Sequence, residues 1–145
     1  RSFKKKTNTS EIIEIAYDLQ AGSYIKRFNS YPEKAELYVS QVAKILSEFV
    51  HKKDSLLDVG TGELTTLTLV LNKMITTPKN ILAFDISWSR LIRGNQFFKS
   101  KNSKKKIEIS TFVADIKYIP LHSNCIDVIT SSHSLEPNGE NLINS

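Results

Sequence analysis

The stretch Leu56-Leu57-Asp58-Val59-Gly60-Thr61-Gly62-Glu63 constrains the fold of this chain more than any other. An apolar run ends there in an acid, and a glycine pair begins two residues later. It reads as a strand entering a nucleotide-binding turn. Two glycines let the backbone reverse sharply and lie against a partner that a Cβ would exclude. Residues 64–75 are apolar and threonine-rich, with no proline until Pro78, so a helix is expected to begin at the turn. A dinucleotide fingerprint would place a third glycine at position 65, where Thr65 stands. A pyrophosphate favours a close helix N-terminus with no anion beside it, whereas Asp58 puts a negative charge at the mouth of the turn. The ligand these residues imply carries a cation and no phosphate.

Three further segments fit such a ligand. Asn80-Ile81-Leu82-Ala83-Phe84-Asp85 reads as a second buried strand ending in an acid 23 residues after Gly62. An acid at that place grips ribose hydroxyls in doubly wound folds, so Asp85 is the expected ribose ligand, with Ile86 beside it. A third strand over residues 107–113 runs into Ala114-Asp115-Ile116, and a fourth over residues 125–130 runs into Ser131-Ser132-His133. Strands that alternate with helical stretches and end in polar residues predict an α/β doubly wound sheet with helices on both faces.

Asp58-x-Gly60-x-Gly62, Asp85, Ala114-Asp115-Ile116, and Ile119-Pro120-Leu121 ahead of Cys125-Ile126-Asp127-Val128-Ile129 together resemble the class I S-adenosyl-L-methionine-dependent methyltransferases. The likeness is closest to their small-molecule subgroup and covers about residues 54–135. Four ordered motifs are far more specific than one glycine turn. The resemblance implies a Rossmann-like fold and S-adenosyl-L-methionine as cofactor. It implies that Asp58, Gly60, Thr61 and Gly62 border the methionine portion and that Asp85 accepts both ribose hydroxyls. Asp115 would accept from the adenine amino group and the Ile116 amide would meet a ring nitrogen, with Ser132 also near the cofactor. Leu64 stands where the family's fullest motif has a third glycine; a helix that needs only a close approach there tolerates it.

A chain of 145 residues with 40% apolar and 24% charged residues is an ordinary domain able to bury a core. No apolar run approaches the length of a membrane span, and no signal peptide is visible, although the chain begins at Arg1 and a native N-terminus is expected to be missing. The single cysteine, Cys125, falls in the fourth strand pattern, which excludes an internal disulfide and points to a reducing, cytoplasmic setting.

The net charge of +5 is local. Without Lys99, Lys101, Lys104, Lys105 and Lys106 the basic and acidic residues number 15 each. These lysines connect the second helical stretch to the third strand, with Asn102 and Ser103 marking a turn. The cluster lacks interleaved aromatics, so a solvated loop is expected in preference to an RNA-binding patch. Phe97 and Phe98 beside it read as the buried face of a helix.

Residues 1–53 read as a helical cap and residues 54–145 as a partial cofactor-binding domain. Asn8 and Glu11 have capping-box spacing ahead of Ile12, Ile13 and Ile15. A break near Ala21-Gly22-Ser23 follows. Pro32 opens another helix whose stripe is Ala35, Tyr38, Val42, Ile45, Leu46 and Phe49. In the family resembled, leading helices form part of a lid, and Tyr17, Gln20 and Tyr24 lie where it would touch the site.

The family's sheet has seven strands with the first and fourth central, whereas this chain supplies four. It is therefore expected to be a fragment of a longer protein, or to self-associate through an open strand edge. His133 is the one candidate general base, since imidazole titrates near neutrality. The three histidines and one cysteine show no metal-ligand spacing. Ser131-Ser132-His133-Ser134-Leu135-Glu136-Pro137 lacks the Asn/Asp-Pro-Pro-aromatic motif of the family's nucleobase methylators, and no Gly-x-Ser-x-Gly or P-loop pattern occurs. The expected acceptor is a small molecule, with RNA methylation or non-catalytic cofactor binding as the alternatives.

Overall fold

The computed structural model of the chain describes residues 9–103, 106–132 and 134. In chain order it holds α1 (Ser10–Leu19), α2 (Ser23–Ser30), α3 (Pro32–Phe49), β1 (Ser55–Val59), α4 (Thr65–Lys73), β2 (Asn80–Asp85), α5 (Trp88–Lys101), β3 (Ser110–Val113) and β4 (Val128–Ser131). The strands form one parallel sheet in the order β3-β2-β1-β4. The chain thus steps outward from β1 twice and then crosses back to the other side of β1. That reversal creates a crevice at the carboxyl ends of β1 and β4, where open α/β sheets place their ligands.

Successive strand residues face opposite ways, so each strand feeds two apolar clusters. Leu56, Ile81 and Ala83 pack with Leu64, with Leu67, Val70 and Leu71 of α4, and with Val39, Ala43 and Leu46 of α3. Burying each of the Val, Leu and Ile side chains stabilises the fold by about 1.5–3 kcal/mol, and the alanines less. Leu57, Val59 and Phe84 point the other way, onto Ala114 and the partly buried Ile116, Ile119, Leu121 and Ile126. Helices therefore cover one face of the sheet, and among the described residues the coil after β3 covers the other. Helices on both faces were expected; the connection from β3 to β4 carries Pro120 and a left-handed Asn124 (φ 61°), and has no helical stripe.

Several local expectations shift. Thr9, and not Asn8, caps α1 by accepting from the Ile12 amide; Asn8 itself lies outside the described residues. The segment after Gly22 is a helix of its own, α2, ended at Tyr31, whose backbone (φ −141°, ψ 62°) leaves the helical region ahead of Pro32. In α3 the buried column is Val39, Ala43 and Leu46, while Tyr38, Ile45 and Phe49 of the expected stripe are exposed. This helix is apolar on adjacent columns, and only docking against α4 chooses between them. Cys125 is exposed and precedes β4, because pairing with β1 starts only at Leu56 and Val128. Lys99 and Lys101 form the last turn of α5 and not a loop, where they favour the helix dipole.

Among the described residues no helix is long and apolar enough to cross a membrane, and no group of three His, Cys, Asp or Glu residues could hold a metal.

Candidate functional site

The turn after β1 alternates left-handed residues, Gly60 (φ 65°), Gly62 (φ 56°) and Leu64 (φ 55°). Leu64 is the surprise, since a leucine in that conformation costs about 1–2 kcal/mol. Its side chain is fully buried in the core, which returns about 1.5–3 kcal/mol, so burial wins and the third glycine is dispensable. The position demands a left-handed backbone as well as a close approach. The close approach is provided from the other side by Gly94 of α5, where an added Cβ would sit 2.7 Å from the Glu63 carbonyl carbon.

Asp85 ties the turn to β2. Its Oδ2 accepts from the Gly62 amide at 2.8 Å and its Oδ1 from the Ser87 amide at 2.9 Å, and the residue is only 5% exposed. The Thr61 amide donates to the Phe84 carbonyl oxygen at 2.9 Å, a second stitch between the same loops. The Ala114 amide donates to the Asp85 carbonyl oxygen, which brings the end of β3 alongside.

Asp58 lies across β1 from Thr130, whose hydroxyl donates to Asp58 Oδ1 at 2.8 Å. Burial pushes the Asp58 carboxyl above its ordinary value, with the nearby Asp85 charge acting the same way against the Thr61 and Thr130 hydroxyls. Among the described residues no cation pairs with it. A buried carboxylate in this condition is relieved by a cationic ligand. Gly60 makes room within the protein, since an added Cβ would meet the Ser134 side chain at 2.1 Å; at Gly62 a Cβ would make ordinary contact 3.6 Å from the Arg90 guanidinium, and it is the φ of 56° that calls for glycine there. Ser134 in turn donates to the Val59 carbonyl oxygen.

Asp115 accepts from the Ser10 hydroxyl of α1 and from the Lys117 amide. Burial raises its pKa, but the Lys117 amide, the Ser10 hydroxyl and the Lys117 charge together hold it below the ordinary value. Ile116 is partly buried in the second cluster. Ser132 accepts from the Tyr38 hydroxyl of α3 at 3.2 Å. Ile86 is half-buried between Asp85 and Ser87. The buried Thr61 hydroxyl lies beside the Asp58 carboxyl. Gln20 is exposed at the end of α1. His133 lies outside the described residues.

The helices α1 and α2 bury no residue, and polar anchors hold them to these loops. Glu63, 2% exposed, accepts at Oε1 from the Gly22 amide and at Oε2 from the Ile25 amide, both at 2.8 Å. It thereby caps α2. Buried Arg90 lies with Nε 3.9 Å from Glu63 Oε1 and with its guanidinium against the rings of Tyr17 and Tyr24, at 4.8 and 4.9 Å. Asp18 of α1 accepts from the Ser87 hydroxyl and the Ser89 amide at the start of α5. The Ser87 bond leads the effects that, over the opposing effect of burial, hold Asp18 below the ordinary carboxylate range. Tyr24 thus meets Arg90, and its ring remains half exposed.

Glu63, Arg90, Ser87 and Gly94 were not singled out from the sequence. Two of them carried a readable signal. Ser87 directly precedes a helix, the N-cap position, and Gly94 interrupts a helix interior, which marks a packing constraint. Glu63 and Arg90 gave none, because the partners that bury them come from α1 and α2.

A parallel sheet with its reversal beside β1, an acid and a left-handed glycine turn after β1, and a second acid after β2 define a Rossmann-like nucleoside-binding domain. A family model described as a methyltransferase domain matches residues 57–138, and the chain belongs to that family, the class I S-adenosyl-L-methionine-dependent methyltransferases. A search of curated protein sequences found no match. Among solved structures, one from Methanococcus maripaludis described as a candidate S-adenosyl-L-methionine-dependent methyltransferase has a TM-score of 0.56 at 18% identity, covering 92% of this chain and 54% of its own. The [4+2]-cyclase SpnF aligns with a TM-score of 0.61 at 15% identity over 85% of this chain and 48% of its own. Phosphoethanolamine N-methyltransferase 1 of Haemonchus contortus, solved with phosphoethanolamine and S-adenosylhomocysteine, aligns with a TM-score of 0.50 at 16% identity over 90% of this chain and 27% of its own. The chain spans about half the length of the first solved structures it matches, 54% and 46%.

Proposed function

We propose that this chain is the cofactor-binding half of a methyltransferase that moves the methyl group of S-adenosyl-L-methionine to a small molecule. The observation that carries the reading is Asp85: a buried carboxylate at the carboxyl end of β2, held by the Gly62 and Ser87 amides against the glycine turn. Each of its oxygens accepts one amide and keeps acceptor capacity for a ribose hydroxyl.

The remaining roles follow the same edge. Asp58 supplies the countercharge for the cationic methionine portion beside Gly60, Thr61 and Gly62. Ile86 flanks the ribose, and Asp115 with the Ile116 amide takes the adenine edge. Ser132 and Tyr24 border the site from β4 and α2, and His133 is the candidate base for an acceptor that must lose a proton. The helices α1 and α2 act as the lid. When bound, the cofactor supplies an already activated methyl group, so the chain's work is to bind, orient and exclude water. The same fold in SpnF, described as a cyclase, means that the fold alone does not set the reaction; the small-molecule acceptor rests on the motif pattern. A cytoplasmic setting completes the reading, and the open edge of β4 would let the isolated 145-residue chain self-associate.

The test is calorimetric. Asp85→Ala weakens S-adenosyl-L-methionine binding by about 1.5–3 kcal/mol, the scale of hydrogen bonds to a charged group. Asp115→Ala costs less, because the Ile116 amide still holds the adenine. Unchanged affinity in Asp85→Ala removes Asp85 from the site, and a larger loss at Asp115 reverses the two roles.

A further inference from the structure

Between α2 and α5 runs an open groove of about 660 Å³ that contains none of the residues assigned to the cofactor. Lys26 of α2 and Arg93 and Lys101 of α5 line it, together with the side chains of Asn29, Gln96 and Ser100. No acid is among its lining residues. Among the described residues none of the three cations makes an ion pair.

Two of these exposed cations lie against other groups of the fold. The Arg93 guanidinium lies over Gly22, where an added Cβ would come within 3.3 Å of its nitrogen. Lys101 sits 5.6 Å from the centroids of both Phe28 and Phe97, whose rings pack edge to face. Helix-dipole stabilisation explains Lys101 in the last turn of α5, but neither Arg93 nor Lys26, which lie in helix interiors. Converging, unpaired cations repel one another, and the groove gains by taking up negative charge.

We propose that this groove binds a small, densely charged, phosphate-bearing anion. Its volume lies in the range of small-molecule sites. Its lining offers charge and hydrogen-bond donors, and its one aromatic residue, Phe97, is buried against Phe28 and Lys101. A groove without an exposed ring has no platform on which nucleic-acid bases could stack. This separates a small phosphorylated ligand from single-stranded RNA, whose phosphates the same cations would attract. The inference is independent of the methyl-transfer reading.

The experiment titrates inorganic pyrophosphate, and separately a ten-nucleotide single-stranded RNA, into the 145-residue chain. Lys26→Gln, Arg93→Gln, Lys101→Gln and the triple variant are measured alongside, with circular dichroism to verify the fold. Saturable pyrophosphate binding is expected, weakened about threefold per charge removed, as befits an open and water-screened site. It falls as salt is raised, and S-adenosyl-L-methionine affinity stays unchanged in every variant. Absence of pyrophosphate binding, or equal binding by the triple variant, overturns the proposal. RNA binding tighter than pyrophosphate binding and lost in the triple variant also overturns it, in favour of a nucleic-acid surface. The single Lys26→Gln variant, on an exposed position, decides the matter where the triple variant does not fold.

Discussion

The two helices at the start of the chain and the strands at its centre are attached to the molecule by different forces. β1, β2, α3 and α4 share one apolar cluster, and their association follows from hydrophobic burial. In contrast, α1 and α2 bury no residue and leave Ile12, Ile15 and Leu19 exposed. Apart from the ring contact of Phe28 on Phe97 and the Arg90 guanidinium against Tyr17 and Tyr24, what holds them is polar and directional: Ser10 on Asp115, Asp18 on Ser87 and Ser89, and Glu63 on the first amides of α2. Apolar contact is diffuse and survives small displacements, whereas hydrogen bonds to single carboxylates do not. Helices attached in this second way can open without disturbing the core, and their anchors lie on the loops proposed above to carry the cofactor. In the proposed reading, Glu63, Ser87 and Asp115 couple a lid to that site.

Breaking the polar attachment at its most buried point gives the largest expected effect. Glu63→Ala leaves the Gly22 and Ile25 amides without acceptors and the Arg90 guanidinium buried without its carboxylate. Removing one partner of a buried pair costs about 3–5 kcal/mol. The comparison sharpens if hydrogen exchange speeds up across α1 and α2 far more than in β1 and β2. Uniform acceleration throughout the chain would mean that lid and core are one cooperative unit.

Next in size is Gly94→Ala, where the added methyl would lie 2.7 Å from the Glu63 backbone. Backbone cannot swing aside as a side chain does, so overpacking by about 1–3 kcal/mol is expected in denaturant unfolding. This substitution strikes the core side of the same loop, and it should lower global stability without selective exchange in the lid. No loss of stability would show that α5 does not press on the glycine turn.

The smallest effect has the opposite sign. Burial raises the Asp58 pKa in the folded chain above its unfolded value. The contribution of this group to stability is then complete below the unfolded pKa and is lost as pH rises through the folded one. Above the unfolded pKa, folding must therefore either protonate Asp58 or bury its charge. Asp58→Asn keeps an oxygen for the Thr130 hydroxyl and removes that charge, so thermal melting should show a gain at neutral pH. The gain fades as pH falls below the carboxylate range. S-adenosyl-L-methionine affinity should fall in the same variant, the pattern of a residue kept for binding at a cost in stability. A loss of stability at neutral pH would mean that Asp58 is a structural acceptor first.

The central strands were legible because their signals are local. The glycine spacing and the terminal acids gave β2 its full extent and placed β1 and the helix after it to within a few residues. Of the leading helices, α1 and α3 were legible and α2 was not. Phase in α3 depended on which of two apolar columns docks on α4, and the anchoring role of Glu63 depended on amides about 40 positions earlier in the chain. The starts of β3 and β4 were placed too early because apolar residues precede the point where a partner strand exists: pairing begins at Ser110 on β2 and at Val128 on β1. Leu64 shows a third kind of limit. A positive φ on a leucine cannot be read from composition, since burial of its side chain is what makes it affordable.

The central claim is that the carboxyl edge of the sheet around the glycine turn holds S-adenosyl-L-methionine. Amide chemical-shift mapping of the labelled chain tests it residue by residue. Adding the cofactor should move the amides of Gly60, Gly62, Ile86 and Ile116 most, with smaller shifts at Gly22 and Ile25 transmitted through Glu63. Absence of shifts at saturating cofactor, or shifts confined to the α2–α5 groove, would contradict the account.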